Sequence, residues 1–301
     1  MIGIGELIRI NREERKLSQE DLCFGICSTS NLSKIENGTQ FPTRATFEAL
    51  MQRMGLSADI YPSFLDGKDK KAYELKYDIN DLYSKGMYDE AEKKLAMFEK
   101  LPKLDNVYNQ FIVMTKILLK QQMGQRPEET VKEFENIISM YIKDFSSDKI
   151  RKCLLTKSEI NMLNAYAIAN HRAGNEEIAI DILYGLVDYI DRKVYDKEST
   201  AIMYTKLISN LSKYVGMSGD DKEAIRLCDI GITYCIRYSR HTYFAHILYI
   251  KGYGLMNLGQ VDEAHKCIQE CYYIERAMGG NYTTDLEVTK RFAEKNGIKL
   301  L

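Results

Sequence analysis

Apolar residues recur at helical spacing from the start of the chain. Ile4, Leu7, Ile8 and Ile10 share one face and predict a first helix that ends near Lys16. Ser18 stands in the N-cap place of a second helix, with Asp21 three residues on, and Leu22 and Ile26 point inward. Gly25 and Cys27 make a turn. Ser28 opens a third helix with Leu32 and Ile35 on its inner face, and Asn37-Gly38 stops it, because both tolerate the left-handed conformation of a helix C-cap. Pro42 and Thr43 begin a fourth helix, Thr43 to Met54, with Phe47, Leu50 and Met54 apolar. A short fifth segment is expected around Ile60 and Phe64.

After the polar run DGKDKK, Asp66 to Lys71, the pattern becomes a repeat. KGMYDEAEKKL, AGNEEIAIDIL, SGDDKEAIRLC and LGQVDEAHKCI each place Ala five residues after Gly: Gly86/Ala91, Gly174/Ala179, Gly219/Ala224 and Gly259/Ala264. A degenerate copy lies at Gly124. The Gly ends one helix, the acidic stretch opens the next against its dipole, and the small Ala lets the two approach closely. Successive glycines are 38, 50, 45 and 40 residues apart, longer than the 34-residue tetratricopeptide repeat that the pattern resembles. The fold class expected is all-α. A five-helix domain over residues 1–66 and a linker over 67–71 precede a repeat domain over 72–301. About five helical hairpins should stack there as a right-handed superhelix, closed by a capping helix from Thr283.

Two resemblances give these halves a function. The run LSQEDL…S…NLSKIENG…P resembles the helix-turn-helix of the Xre and phage-repressor family from Gly5 to about Leu65, with Gln19, Leu22, Leu32, Ile35, Glu36, Gly38 and Pro42 in register. The resemblance implies a third helix in the DNA major groove. By position, Ser28, Thr29, Ser30, Asn31, Ser33 and Lys34 become DNA-facing candidates, Gln19 and the backbone near Asn37 would hold phosphates, and Glu36 would brace the fold. The order of the two halves, and the Cys-containing turn ICSTSNLSKIENG, resembles the peptide-responsive quorum-sensing regulators of Gram-positive bacteria (PlcR, PrgX and Rgg type). That resemblance implies a palindromic double-stranded operator, a short signalling peptide and a homodimer as partners.

The first helix of each such repeat lines the inner face. Register then gives a peptide stripe of Tyr73, Lys76, Asn80 and Tyr83, then Asn161, Asn164, Ile168 and His171, then Lys206, Asn210 and Lys213, and finally His246, Tyr249, Tyr253 and Asn257. Amides donate to and accept from a peptide backbone, and tyrosines pack its side chains.

Charge qualifies the DNA expectation. The chain carries a net charge of −1, and its first 66 residues hold seven basic and nine acidic side chains. Sequence-independent attraction to DNA should be weak, so two copies would be needed for affinity. Seven cysteines, an odd number, without a Cys-x-x-Cys pair point to free thiols and packing rather than a metal site. No secretory leader and no membrane-length apolar run are read, which places the expected location in the cytoplasm. There is no P-loop, H-E-x-x-H or G-x-S-x-G, and the four histidines form no triad pattern, so neither an enzyme nor a cofactor is expected. The competing readings are a protein-docking adaptor and a peptide-regulated phosphatase-like protein.

Overall fold

The computed structural model describes residues 3–56, 67–102, 105–193, 196–279 and 286–300, without the side chains of 67–69 and 148. The described residues form helices and turns, with no strand among them. They fall into two compact units, Met1–Gly174 and Asn175–Leu301.

The first unit opens with α1 (Ile4–Glu14), α2 (Gln19–Cys23), α3 (Thr29–Glu36) and α4 (Arg44–Arg53). The starts of α2 and α3 are capped where the sequence predicts, and α4 is capped by Thr43, which the sequence reading places inside that helix. Ser18, Ser28 and Thr43 each accept a hydrogen bond from the backbone N–H three residues on. Gly25 and Gly38 adopt φ of +69° and +72° at the turns expected of them. Gly5 has a different task. A Cβ built there would fall 1.8 Å from the Ile35 carbonyl oxygen, so α1 meets α3 backbone to backbone. The expected segment around Ile60 and Phe64 lies outside the described residues.

Next come α5 (Gly67–Ser84), α6 (Tyr88–Glu99), α7 (Asn106–Gln122), α8 (Pro127–Tyr141), a 3-10 turn (Ser147–Lys152) and α9 (Lys157–Arg172). Residues 67–71, expected as a linker, are the first turn of α5. A polar run does not preclude a helix, and lysine is a good helix former. The two parts also share one core. Ile8, Leu22, Leu32, Ile35 and Leu50 belong to the same apolar cluster as Ala72, Leu75, Ile79, Phe98 and Phe111.

The second unit contains α10 (Glu176–Lys193), α11 (Lys197–Met217), α12 (Asp221–Arg237), α13 (Phe244–Asn257), α14 (Val261–Ala277) and α15 (Leu286–Lys295). Each helix from α11 to α15 packs on its predecessor. In both units the repeat signature has the geometry its spacing implies. Gly86, Gly124, Gly174, Gly219 and Gly259 all have positive φ. Ala91, Ala179, Ala224 and Ala264 are fully buried. The expected capping helix is α15. Residues 283–285, where the sequence would begin it, lie outside the described residues.

Candidate functional site

The outer face of α3 is uncovered. Ser28, Thr29, Ser30, Lys34 and Asn37 are exposed, and Asn31 and Ser33 are half-buried. Ser28 spends an acceptor site on the Asn31 N–H, 3.1 Å away, and keeps its hydroxyl proton for a ligand. Asn37 donates weakly to Ser33 at 3.5 Å. The Asn31 Oδ1 is buried without a hydrogen-bond partner among the described residues. Gln19 is more constrained than the sequence suggests. Its Nε2 donates to Glu36 at 2.7 Å, which leaves one N–H for a phosphate. Glu36 braces the fold as expected. It is buried and takes a forked pair from Arg12, Nε at 2.7 Å and Nη2 at 2.9 Å.

Behind this face, side chains fasten the four helices to the repeats of the same unit. Arg53 and Glu159 form a buried ion pair, and Arg53 also donates to the Leu22 and Phe24 carbonyls. Glu159 belongs to the capping box of α9 with Thr156. Burial raises its carboxyl pKa, opposed by the Arg53 charge. Asp105 caps α7 through the Tyr108 N–H, and its other oxygen accepts from Thr43 at 2.5 Å and Thr46 at 3.0 Å. Gln52 accepts from the Lys157 N–H at 3.0 Å, and Lys143 reaches Asp21 at 3.0 Å. Sequence reasoning missed the side-chain ties between the four helices and the repeats because their partners lie 59 to 122 positions apart. The one local signal was the Thr156/Glu159 spacing of a capping box.

Among the ligand candidates of the first unit, Asn161, Asn164 and His171 lie along one face of α9. Asn164 is buried, and the other two are half-buried. Asn80 is exposed on α5. Its neighbours in the predicted stripe are engaged within the unit: Arg44 lies over the Tyr73 ring at 4.8 Å, Lys76 over Phe111 at 5.3 Å, and Tyr83 accepts from Gln122 at 3.0 Å.

In the second unit Lys206, Asn210 and Lys213 occupy one face of α11, and α13 packs against that helix. The Ser209 hydroxyl and His246 Nδ1 are 2.6 Å apart. Burial, then the nearby Lys213 charge, lowers the His246 pKa to about 4. Burial lowers that of Lys206 to about 8. Of the cations on this face, Lys213 is the one whose charge acts on His246. Tyr249 and Tyr253 lie on the expected face of α13, where α15 meets them. Both rings pack on Phe292 of α15, with centroids 5.6 and 5.7 Å away, so they hold the capping helix. Tyr253 retains an exposed edge at 49%. Asn257 donates to Asp221 at 3.2 Å and ties α13 to α12. Among the described residues no cluster of three or more His, Cys, Asp or Glu side chains could hold a metal ion. No described helix is long and apolar enough to cross a membrane.

These features define a helix-turn-helix domain followed by tetratricopeptide-like helical hairpins. Residues 4–59 match a family model described as a helix-turn-helix domain. No curated protein sequence matches the chain. Among solved structures, the chain has the fold of Bacillus thuringiensis PlcR. It matches PlcR in complex with the peptide PapR7 and DNA at 16% identity and TM-score 0.62, covering 99% of this chain and 100% of that one. The apo form of PlcR matches at 15% identity and TM-score 0.63, covering 97% and 100%. Apo ComR from S. thermophilus matches at 14% identity and TM-score 0.56, covering 98% and 99%.

Proposed function

We propose that the chain is a sequence-specific DNA-binding transcriptional regulator whose repeats bind a short signalling peptide and thereby change its hold on an operator. The observation that carries this reading is the uncovered N-terminal face of α3, with Thr29, Ser30 and Lys34 exposed on it. Such a face has no packing role and has the shape that enters a major groove. The PlcR structure with its peptide and DNA, similar in fold over the whole chain, supports the same reading. Gln19, Ser28 and Asn37 would hold phosphates. Thr29, Ser30, Asn31, Ser33 and Lys34 would reach base edges.

The ligand would be anionic at one end. In the second unit Lys206, Asn210 and Lys213 would take a peptide carboxylate or acidic side chain. In the first unit Asn161, Asn164, His171 and Asn80 are candidates for backbone contacts. The protein would work in the cytoplasm as a homodimer, since palindromic half-sites about one DNA turn apart require two heads. Coupling requires the peptide to prefer one state of the protein.

The test has two stages. Operator fragments are first selected from random duplexes with the full-length protein. Short peptides encoded beside its gene are then titrated calorimetrically and added to a gel-shift assay. Binding of one peptide that alters the shift supports the reading. Failure to select any duplex removes the DNA half of it.

A further inference from the structure

The segment between α8 and α9 is basic where the helix-turn-helix is not. Residues 143–157 hold Lys143, Lys149, Arg151, Lys152 and Lys157 against Asp144 and Asp148, whereas the first 66 residues hold seven basic side chains against nine acidic. Lys143, Lys149, Arg151 and Lys152 are exposed. Three of them belong to the 3-10 turn Ser147–Lys152. Residues three apart eclipse in such a turn. Lys149 and Lys152 therefore share one outer edge, while Ile150 and Cys153 share a buried one.

This segment is held against the helix-turn-helix at both of its ends, within the first compact unit. At its start, a Cβ on Gly25 would fall 2.9 Å from the Tyr141 carbonyl oxygen, so the turn between α2 and α3 lies against the end of α8. The Lys143 Nζ lies 3.0 Å from Asp21 Oδ1 and 3.5 Å from Glu20 Oε1. At its end, the Lys157 N–H donates to Gln52 of α4 at 3.0 Å, and Glu159 pairs with Arg53. Glu20 and Asp21 stand in the first turn of α2, directly after Gln19, the residue proposed to hold a phosphate. Two carboxylates there repel a phosphate, and the Lys143 ammonium offsets them. Cations at the end of a short helix also complement its dipole. That explains Lys152 at the last turn and leaves Lys143, which precedes the turn, unexplained.

We propose that the strip from Lys143 to Lys152 is a second DNA contact, which takes backbone phosphates beside the bases that α3 reads. Its occupant is duplex DNA, and the strip senses charge rather than sequence, as phosphate contacts do. The repeats thereby supply attraction that the acidic helix-turn-helix lacks. The anchors at Gly25, Gln52 and Arg53 hold strip and α3 in one rigid relation, so both meet the same duplex. The proposal rests on the DNA-binding reading of α3 and adds a part of the chain that the helix-turn-helix motif does not include.

The full-length protein and its Lys149→Gln/Lys152→Gln variant are titrated with a selected operator over a salt series. On duplex DNA the slope of log affinity against log salt is about 0.9 per phosphate contact. The variant should lose about 0.9 in slope for each contact removed and should weaken on operator and unrelated duplex alike. Its melting temperature should not change, because both side chains are exposed. Hydroxyl-radical footprints should lose protection beside the bases that α3 reads and keep it over them. Lys222→Gln/Lys266→Gln removes the same charge from two exposed lysines of the second unit and should leave slope and footprint as they were. An unchanged slope in the first variant, an equal fall in the second, or a footprint lost over the base contacts instead would each overturn the strip and leave the regulator reading standing. If the unaltered protein binds no duplex even at low salt, the regulator reading fails and the strip fails with it.

Discussion

Single atoms decide several properties of this chain. A methyl group at Gly5 would have to displace the backbone of α3, so Gly5→Ala should lower the melting temperature sharply, by more than Gly3→Ala, which meets open space. Gly25→Ala meets the Tyr141 backbone at 2.9 Å in a left-handed conformation and should also destabilise. On α3, the triple alanine variant of Thr29, Ser30 and Lys34 should lose binding to a selected operator at about 1–3 kcal/mol per base contact. Unchanged binding would refute the assignment. Asn164 is buried, so Asn164→Ala should lower stability by about 1–3 kcal/mol, the cost of unpaired buried groups. Asn161→Ala, half-buried, should leave stability nearly intact and be felt in peptide titration. His246 contributes a pH dependence. Its folded pKa of about 4 lies below the unfolded 6.5, so the unfolded state binds more protons in that window. Stability is lost as pH falls from 6.5 towards 4, and the loss should disappear in His246→Asn melts. The caps and the Glu36 brace were legible in the sequence because they are local or belong to a dense motif. Ser209 was not, since a serine among apolar residues on α11 reveals its histidine partner only once α13 is packed beside it.

At the level of elements, the sequence revealed turns better than partners. Each Gly–Ala signature marked a hairpin because it reports a backbone conformation and a close approach, both set within a few residues. The register stripes were less reliable. Tyr249 and Tyr253 fall on the expected face, but α15 has a phenylalanine aimed at it, and the periodicity of one helix says nothing of what covers it. Removal of that contact in Phe292→Ala should loosen α15 and raise hydrogen exchange in 286–295 before the rest of the second unit. The junction of α4 with α9 is more consequential. Arg53→Met leaves Glu159 buried without its cation and should cost about 3–5 kcal/mol, whereas replacing both partners with methionine should cost less. Chemical denaturation of the two variants separates these outcomes.

For the whole molecule, the acidic balance of the first 66 residues means that the proposed DNA binding would need two copies for affinity. The full chain is expected to be a homodimer with contacts mainly beyond Ala72. Light scattering at micromolar concentration, with and without DNA, checks this, and a monomer in both conditions would contradict it. The sequence placed a boundary at residue 66 because hydrophobic pattern and motif both end there. Packing does not end there, and composition carries no trace of a core that two successive motifs hold in common.

That common core limits how the protein can be dissected or recombined. Residues 1–66 alone would lose the part of this cluster that Ala72, Leu75, Ile79, Phe98 and Phe111 supply. The fragment should therefore melt without cooperativity or aggregate, whereas 1–174 should unfold in one transition by circular dichroism. A head exchanged between regulators would have to bring its Arg53, Thr43 and Thr46 counterparts and find their Glu159 and Asp105 waiting. Operator specificity in such a lineage would then travel with its scaffold, and new specificities would arise by substitution on the open face of α3 more readily than by shuffling of cassettes.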